Sequence, residues 1–145
     1  MEKIGIIGSG TWGTAIAVLL VNNGHEVTLW SAIPAEIEEM AKTRTHKNLP
    51  GVTLPEGLVY TADLEKAMAD KDLLVMAVPS VFVRSTAQKM KPFCKDGQLI
   101  VDVAKGIEEN TLDTMTQIIK EELPMAETAV LSGPSHAEEV SRGLP

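Results

Sequence analysis

Three glycines at GxGxxG spacing, Gly8, Gly10 and Gly13, follow directly on the apolar run Ile4-Gly5-Ile6-Ile7. A strand that ends in such a turn and leads into a helix restricts the chain more than any other feature. The first glycine makes the tight turn out of the strand and the second lets backbone approach a pyrophosphate. The third lets the helix pack closely on the sheet. The setting is present, because residues 15–21 form an apolar helical run that stops at Asn22-Asn23-Gly24. The helix then turns its free N–H groups and positive dipole end toward the phosphates. The spacing alone suits a plain structural turn equally well; the strand before it and the helix after it favour a dinucleotide site.

Strand and helix patterns alternate along the rest of the chain. Strands are expected over 26–30, 58–60, 73–78, 99–103 and 128–131, after the first at 4–7. The run Leu73-Leu74-Val75-Met76-Ala77-Val78 is apolar throughout, as a strand buried on both faces requires. Helices are expected over 35–42, with Pro34 in the first turn, and over 63–69, with Thr61 or Ala62 at the cap. Further helices are expected over 81–90, 112–123 and 136–141. The polar stretch 43–57, with Pro50-Gly51 and Pro55, reads as a loop, and its length suggests a functional or interface role. Six strands with intervening helices, opening on this turn, describe an α/β fold of the Rossmann type. The sheet is doubly wound and parallel, in the order 3-2-1-4-5-6.

Ligands of such sheets lie beyond the carboxyl ends of the strands, so the segments that follow each strand carry the functional expectations. After strand 2 stands Ser31-Ala32-Ile33, without the acidic residue that binds a ribose 2′-OH or the arginine that binds a 2′-phosphate. Ser31 is a weak ribose partner and Glu36 lies several residues into the helix. The missing arginine tilts the expectation toward NAD over NADP. After strand 4, Pro79 halts the strand beside the expected nucleotide, and Ser80 reads as a helix N-cap. After strand 5 comes Lys105-Gly106, a lysine placed for an anionic substrate, with a solvated surface lysine as the bland alternative. After strand 6, Ser135 precedes Glu138 at capping-box spacing, which offers free N–H groups to a second anion.

Other candidates are weaker. His25 and His46 fall in turn or loop, with no carboxylate or second histidine spaced for a metal site. His136 reads as a half-exposed residue at a helix start rather than a general acid. The single cysteine, Cys94, lies in a connecting turn rather than at a catalytic position and leaves no intramolecular disulfide to form. A net charge of −7 argues against nucleic acid as a partner. No apolar run approaches the ~20 residues of a membrane span, and Met1-Glu2-Lys3 shows no signal-peptide pattern, so a cytoplasmic protein is expected.

Taken together, GSGTWGTAIA from Gly8, the loop Thr45-His46-Lys47-Asn48-Leu49-Pro50-Gly51-Val52, AVPS from Ala77, VAKGIE from Val103 and LSGPSHAEEV from Leu131 resemble bacterial NAD(P)-dependent glycerol-3-phosphate dehydrogenases across the whole chain. The resemblance implies reversible hydride transfer between the coenzyme and dihydroxyacetone phosphate, supplying sn-glycerol 3-phosphate to phospholipid synthesis. Thr11 and Trp12 fall at coenzyme-contacting positions, Lys105 where the family lysine touches coenzyme and substrate, Gly133 and Ser135 at substrate positions, and Ala137 at a coenzyme position. The expected coenzyme set is therefore Gly8, Ser9, Gly10, Thr11, Trp12, Gly13, Ser31, Pro79, Lys105 and Ala137. The expected substrate set is Lys105, Gly133 and Ser135, and Lys105 orients the substrate. Many relatives carry a basic residue in the stretch 31–33, and this chain does not.

The family also has a helical C-terminal domain, which supplies the lysine taken as proton donor and acceptor. Residues 1–145 are thus expected to be the isolated coenzyme-binding domain of a homodimeric enzyme. It should be inactive alone, since a reductase needs a positioned acid as well as a hydride path. Two other readings share parts of the pattern. A 3-hydroxyacid or 6-phosphogluconate dehydrogenase has this fold and a similar region after strand 5, but SGPSHAEEV fits it less well. A non-catalytic dinucleotide-sensing module suits the length but has no use for VAKGIE and SGPS.

Overall fold

A computed structural model describes residues 1–104, 106–109 and 111–131. Six strands form one sheet: β1 (Lys3–Ile7), β2 (Glu26–Trp30), β3 (Val59–Thr61), β4 (Leu73–Met76), β5 (Leu99–Asp102) and β6 (Glu127–Val130). All neighbours are parallel, in the order β3-β2-β1-β4-β5-β6. The expected topology is the observed one. β1 sits at its centre, with Gly5 paired to Thr28 on one side and Leu74 on the other.

Alternation along the strands divides the core in two, because successive side chains point to opposite faces. Ile4, Ile6, Val27, Leu29 and Val75 pack with Ile16, Ala17 and Val18 of α1 (Thr11–Asn22) and Ile37 and Met40 of α2 (Pro34–Thr43). Ile7, Trp30, Leu74, Met76 and Ile100 pack on the other face against three helices, α3 (Leu64–Met68), α4 (Val83–Met90) and α5 (Met115–Glu122). The first two crossovers thus cover one face, and the chain changes face where it passes from β3 to β4. That change creates the switch point at the carboxyl ends of β1 and β4.

Most departures from the sequence reading lie at element ends, where caps decide. Asp63, rather than Thr61 or Ala62, caps α3: its side chain accepts from the Lys66 N–H at 3.3 Å, while Thr61 Oγ1 accepts from the Asp63 N–H at 3.0 Å. Ser80 is not an N-cap; it opens a 3-10 turn (Ser80–Phe82) whose cap position is Pro79, and α4 follows without a side-chain cap. α5 begins three residues later than the expected 112. Thr114 and Gln117 form a reciprocal capping box there, and Leu112 takes a left-handed φ of 62° that no helix accepts. β4 and β5 end at Met76 and Asp102, short of the expected 78 and 103. The helix expected over 136–141 lies outside the described residues.

The loop after α2 is pinned to the body rather than free. Arg44 ends the helix in a left-handed conformation (φ 55°), its carbonyl accepts from the Leu54 N–H at 2.7 Å, and its Nε donates to the Leu54 carbonyl at 2.9 Å. Leu49 and Leu54 are buried. Each such side chain contributes about 1.5–3 kcal/mol of burial, enough to hold an irregular segment in place.

Candidate functional site

The glycine turn closes the carboxyl end of β1 against β2 and β4. The Gly8 N–H donates to the Trp30 carbonyl at 3.0 Å. Gly8 has a φ of 126°, and a Cβ there would stand 2.6 Å from the Ala77 carbonyl carbon and the Val78 nitrogen. Both the conformation and the contact exclude any side chain. A Cβ on Gly13 would collide with the Gly8 carbonyl oxygen, so the third glycine holds α1 against the turn itself. A Cβ on Gly10, by contrast, would meet nothing within 4 Å. The middle of the turn faces open space in front of α1.

The N-terminus of α1 has neither a side-chain cap nor a charge of its own. Gly10 provides no side-chain cap, and the first turn holds no acidic residue. Its leading N–H groups lack intrahelical carbonyls, and the dipole leaves partial positive charge there. Twelve residues of helix behind an open glycine turn suit a pyrophosphate. A dinucleotide therefore fits the chain's own geometry, with Thr11 and Trp12, both half-buried, at the helix entrance.

Ser9 is buried, and three contacts fix it from three segments. Its hydroxyl donates to Glu36 Oε1 at 3.2 Å, and its carbonyl accepts from Thr14 Oγ1 at 3.0 Å and from His46 Nε2 at 3.0 Å. His46 Nδ1 accepts the Asn48 N–H at 3.1 Å. The proton of the neutral ring is therefore on Nε2, which donates to Ser9. Sequence reasoning assigned His46 only to a loop. The structure makes it a buried brace for the glycine turn.

The other expected residues around the turn are exposed to different degrees. Ser31 is buried, and its Oγ accepts the Ile33 N–H at 3.1 Å, which shapes the turn after β2 and leaves Ala32 and Ile33 outside. Pro79 is exposed and follows Val78, the residue that abuts Gly8. Lys105, Gly133, Ser135 and Ala137 lie outside the described residues, as does His136.

The end of β5 holds a group that sequence reasoning passed over. Asp102 is 3% exposed; its Oδ1 accepts the Ala104 N–H at 2.9 Å, and its Oδ2 lies 3.4 Å from Thr116 Oγ1. Burial pushes its carboxyl above the usual range, against the lowering effect of these two donors. With Ala104, Gly106 and Thr116 it lines a cavity of about 240 Å³. An acidic residue at the end of an apolar strand was the available signal.

Beyond Gly106, Arg84 of α4 gathers four carboxylates. It pairs with Glu108 at 2.8 Å, Glu122 at 2.7 Å, Glu121 at 3.1 Å and Asp113 at 3.6 Å. Hydrogen bonds from Arg84 and then Thr111 hold Glu108 down at about 2, and the hydrogen bonds to Glu108, Glu122 and Glu121 raise the guanidinium. Cys94 is half-buried, and burial together with Asp96 pushes its thiol up, away from a reactive thiolate. Among the described residues no group of three or more metal-ligating side chains converges, and no helix is long and apolar enough to cross a membrane.

Comparison with known proteins agrees with this geometry. A family model described as NAD-dependent glycerol-3-phosphate dehydrogenase N-terminus matches residues 3–145. The chain is 55% identical over 146 residues to a glycerol-3-phosphate dehydrogenase (NAD(P)+) of Agathobacter rectalis, covering 100% of this chain and 44% of the relative. A Fusobacterium nucleatum protein of the same name is 53% identical over 148 residues, with 100% and 44% covered. The crystal structure of glycerol-3-phosphate dehydrogenase from Coxiella burnetii superposes with a TM-score of 0.92 at 32% identity, over 99% of this chain and 44% of that one. The chain spans less than half the length of the curated relatives it matches.

Proposed function

This chain belongs to the NAD-dependent glycerol-3-phosphate dehydrogenase family, and on that premise we propose that it performs the coenzyme-binding half of the interconversion of dihydroxyacetone phosphate and sn-glycerol 3-phosphate. The observation that carries the reading is the open, uncapped entrance of α1 behind Gly8, Gly10 and Gly13. When bound, the NAD or NADP coenzyme supplies or accepts the hydride exchanged with carbon 2 of the substrate. The chain's own residues bind and orient: backbone N–H groups at Thr11 and Trp12 hold the pyrophosphate, and Ser31 and Pro79 flank the nucleotide.

In this reading residues 1–145 are one coenzyme-binding domain, and the rest of a longer, cytoplasmic, homodimeric protein is helical and carries the proton-transfer lysine. Lys105 orients the phosphorylated substrate with Gly133 and Ser135, while Ala137 joins the coenzyme side. The product feeds phospholipid synthesis. Calorimetric titration of the 145-residue chain with NADH and with NADPH tests the premise. Binding of at least one is expected, together with negligible turnover of dihydroxyacetone phosphate. No heat with either coenzyme would overturn the reading, and robust NADH oxidation by this chain would overturn the assignment of proton transfer elsewhere.

A further inference from the structure

Coenzyme choice in a sheet of this kind is made at the end of β2, where the adenosine ribose lies and an acidic side chain accepts from its 2′-OH. The turn there carries no charge. Ser31 Oγ accepts the Ile33 N–H, and Ala32 and Ile33 are exposed, Ile33 to 56%. The charge comes instead from the first turn of α2. Glu36 reaches back to Ser9, the residue between the first two glycines, and the contact uses Oε1 alone. Among the described residues Oε2 makes no hydrogen bond or ion pair.

We infer that Glu36 is the specificity-determining residue, selecting an unphosphorylated adenosine ribose, and hence NAD(H), over a ribose 2′-phosphate. The inference rests on the glycine turn being the coenzyme site. A ribose diol has O–H donors to offer the open carboxylate oxygen, whereas a 2′-phosphate has only acceptors and negative charge. The surroundings add to the discrimination. Glu36 and Glu39 line a cavity of about 420 Å³ next to the turn, together with Met40, Thr43, His46 and Lys47. Two carboxylates against one lysine leave this wall negative. Ser9 holds Glu36 in place and is itself held by His46 and Thr14, so the carboxylate cannot swing clear to admit a phosphate without breaking a part-buried hydrogen bond.

The test is a set of dissociation constants for NADH and NADPH, read by coenzyme fluorescence on the 145-residue chain and its Glu36→Gln, Glu36→Ala and Lys47→Ala variants. Glu36→Gln keeps an acceptor for Ser9 and so keeps the local fold. The chain itself should bind NADH about tenfold or more tighter than NADPH, because like charges oppose the phosphate. Both Glu36 variants should shrink that ratio, chiefly by improving NADPH binding, while Lys47→Ala, which removes the one positive charge of the wall, should keep or widen it. The inference is overturned if NADPH binds as tightly as NADH, if the Glu36 variants keep the ratio, or if NADPH binding is tight and lost in Lys47→Ala. NADH binding without discrimination sinks only the role of Glu36. Absence of binding by either coenzyme sinks the site itself.

Discussion

His46 shows how much a single side chain in an irregular segment can contribute. Both ring nitrogens are used, one toward Ser9 and one toward Asn48, and the residue is 7% exposed. Replacing it with alanine leaves a buried Ser9 carbonyl with one donor fewer and the Asn48 N–H without its acceptor. His46→Ala should therefore cost about 1–2 kcal/mol, from the lost hydrogen bond to the Ser9 carbonyl, which keeps Thr14, and the lost packing of a buried ring. Urea unfolding would measure it, and a loss under about 0.5 kcal/mol would show that the brace is not structural. The partner stands 37 residues away in the chain, so no local pattern points to this contact. The glycines are different: Gly8 and Gly13 are legible because their constraint is local, a turn and a helix that begins at once.

At the scale of elements, the Arg84 cluster joins α4, α5 and the segment after Gly106. Its pH dependence follows from Glu108, whose carboxyl lies at about 2 in the fold against an ordinary 4.5. A carboxyl depressed by folding stabilises the fold above its unfolded value, and that contribution disappears as pH falls through the folded value. Arg84→Ala should thus lower the melting temperature at pH 7, and the gap to the parent should narrow from about pH 4.5 downward and close near pH 2. A gap independent of pH would assign the loss to packing of the arginine stem instead. Helix existence was readable from apolar spacing and Pro34 marked the start of α2, but the starts of α3 and α5 were not legible that way. α5 begins at Thr114 because Thr114-Met115-Thr116-Gln117 forms a capping box, a signal present in the sequence but overshadowed by the apolar spacing that begins at Leu112. α3 starts where Asp63 meets the Lys66 N–H.

For the molecule as a whole, large apolar side chains stand exposed past the carboxyl ends of the strands. Val81 and Phe82 follow β4 at 81% and 56% exposure, Ile107 follows β5 and Leu131 follows β6. Exposed groups of this size favour association. Light scattering should show self-association of the 145-residue chain at high concentration, reduced in a Val81→Ser, Phe82→Ser double variant. A clean monomer throughout would refute it. Strand order and the dinucleotide turn followed from local rules: residue alternation, helical spacing, glycine geometry and right-handed crossovers make 3-2-1-4-5-6 the default order for six such strands, and it is the observed one. Three dimensions assigned the neighbours of that turn. Glu36 came back from within a helix to Ser9, His46 came from a loop, and Asp102 was buried beneath the β5 turn. These meetings depend on the packing of segments far apart in the chain, and packing across such distances leaves no period or spacing for a linear reading to find.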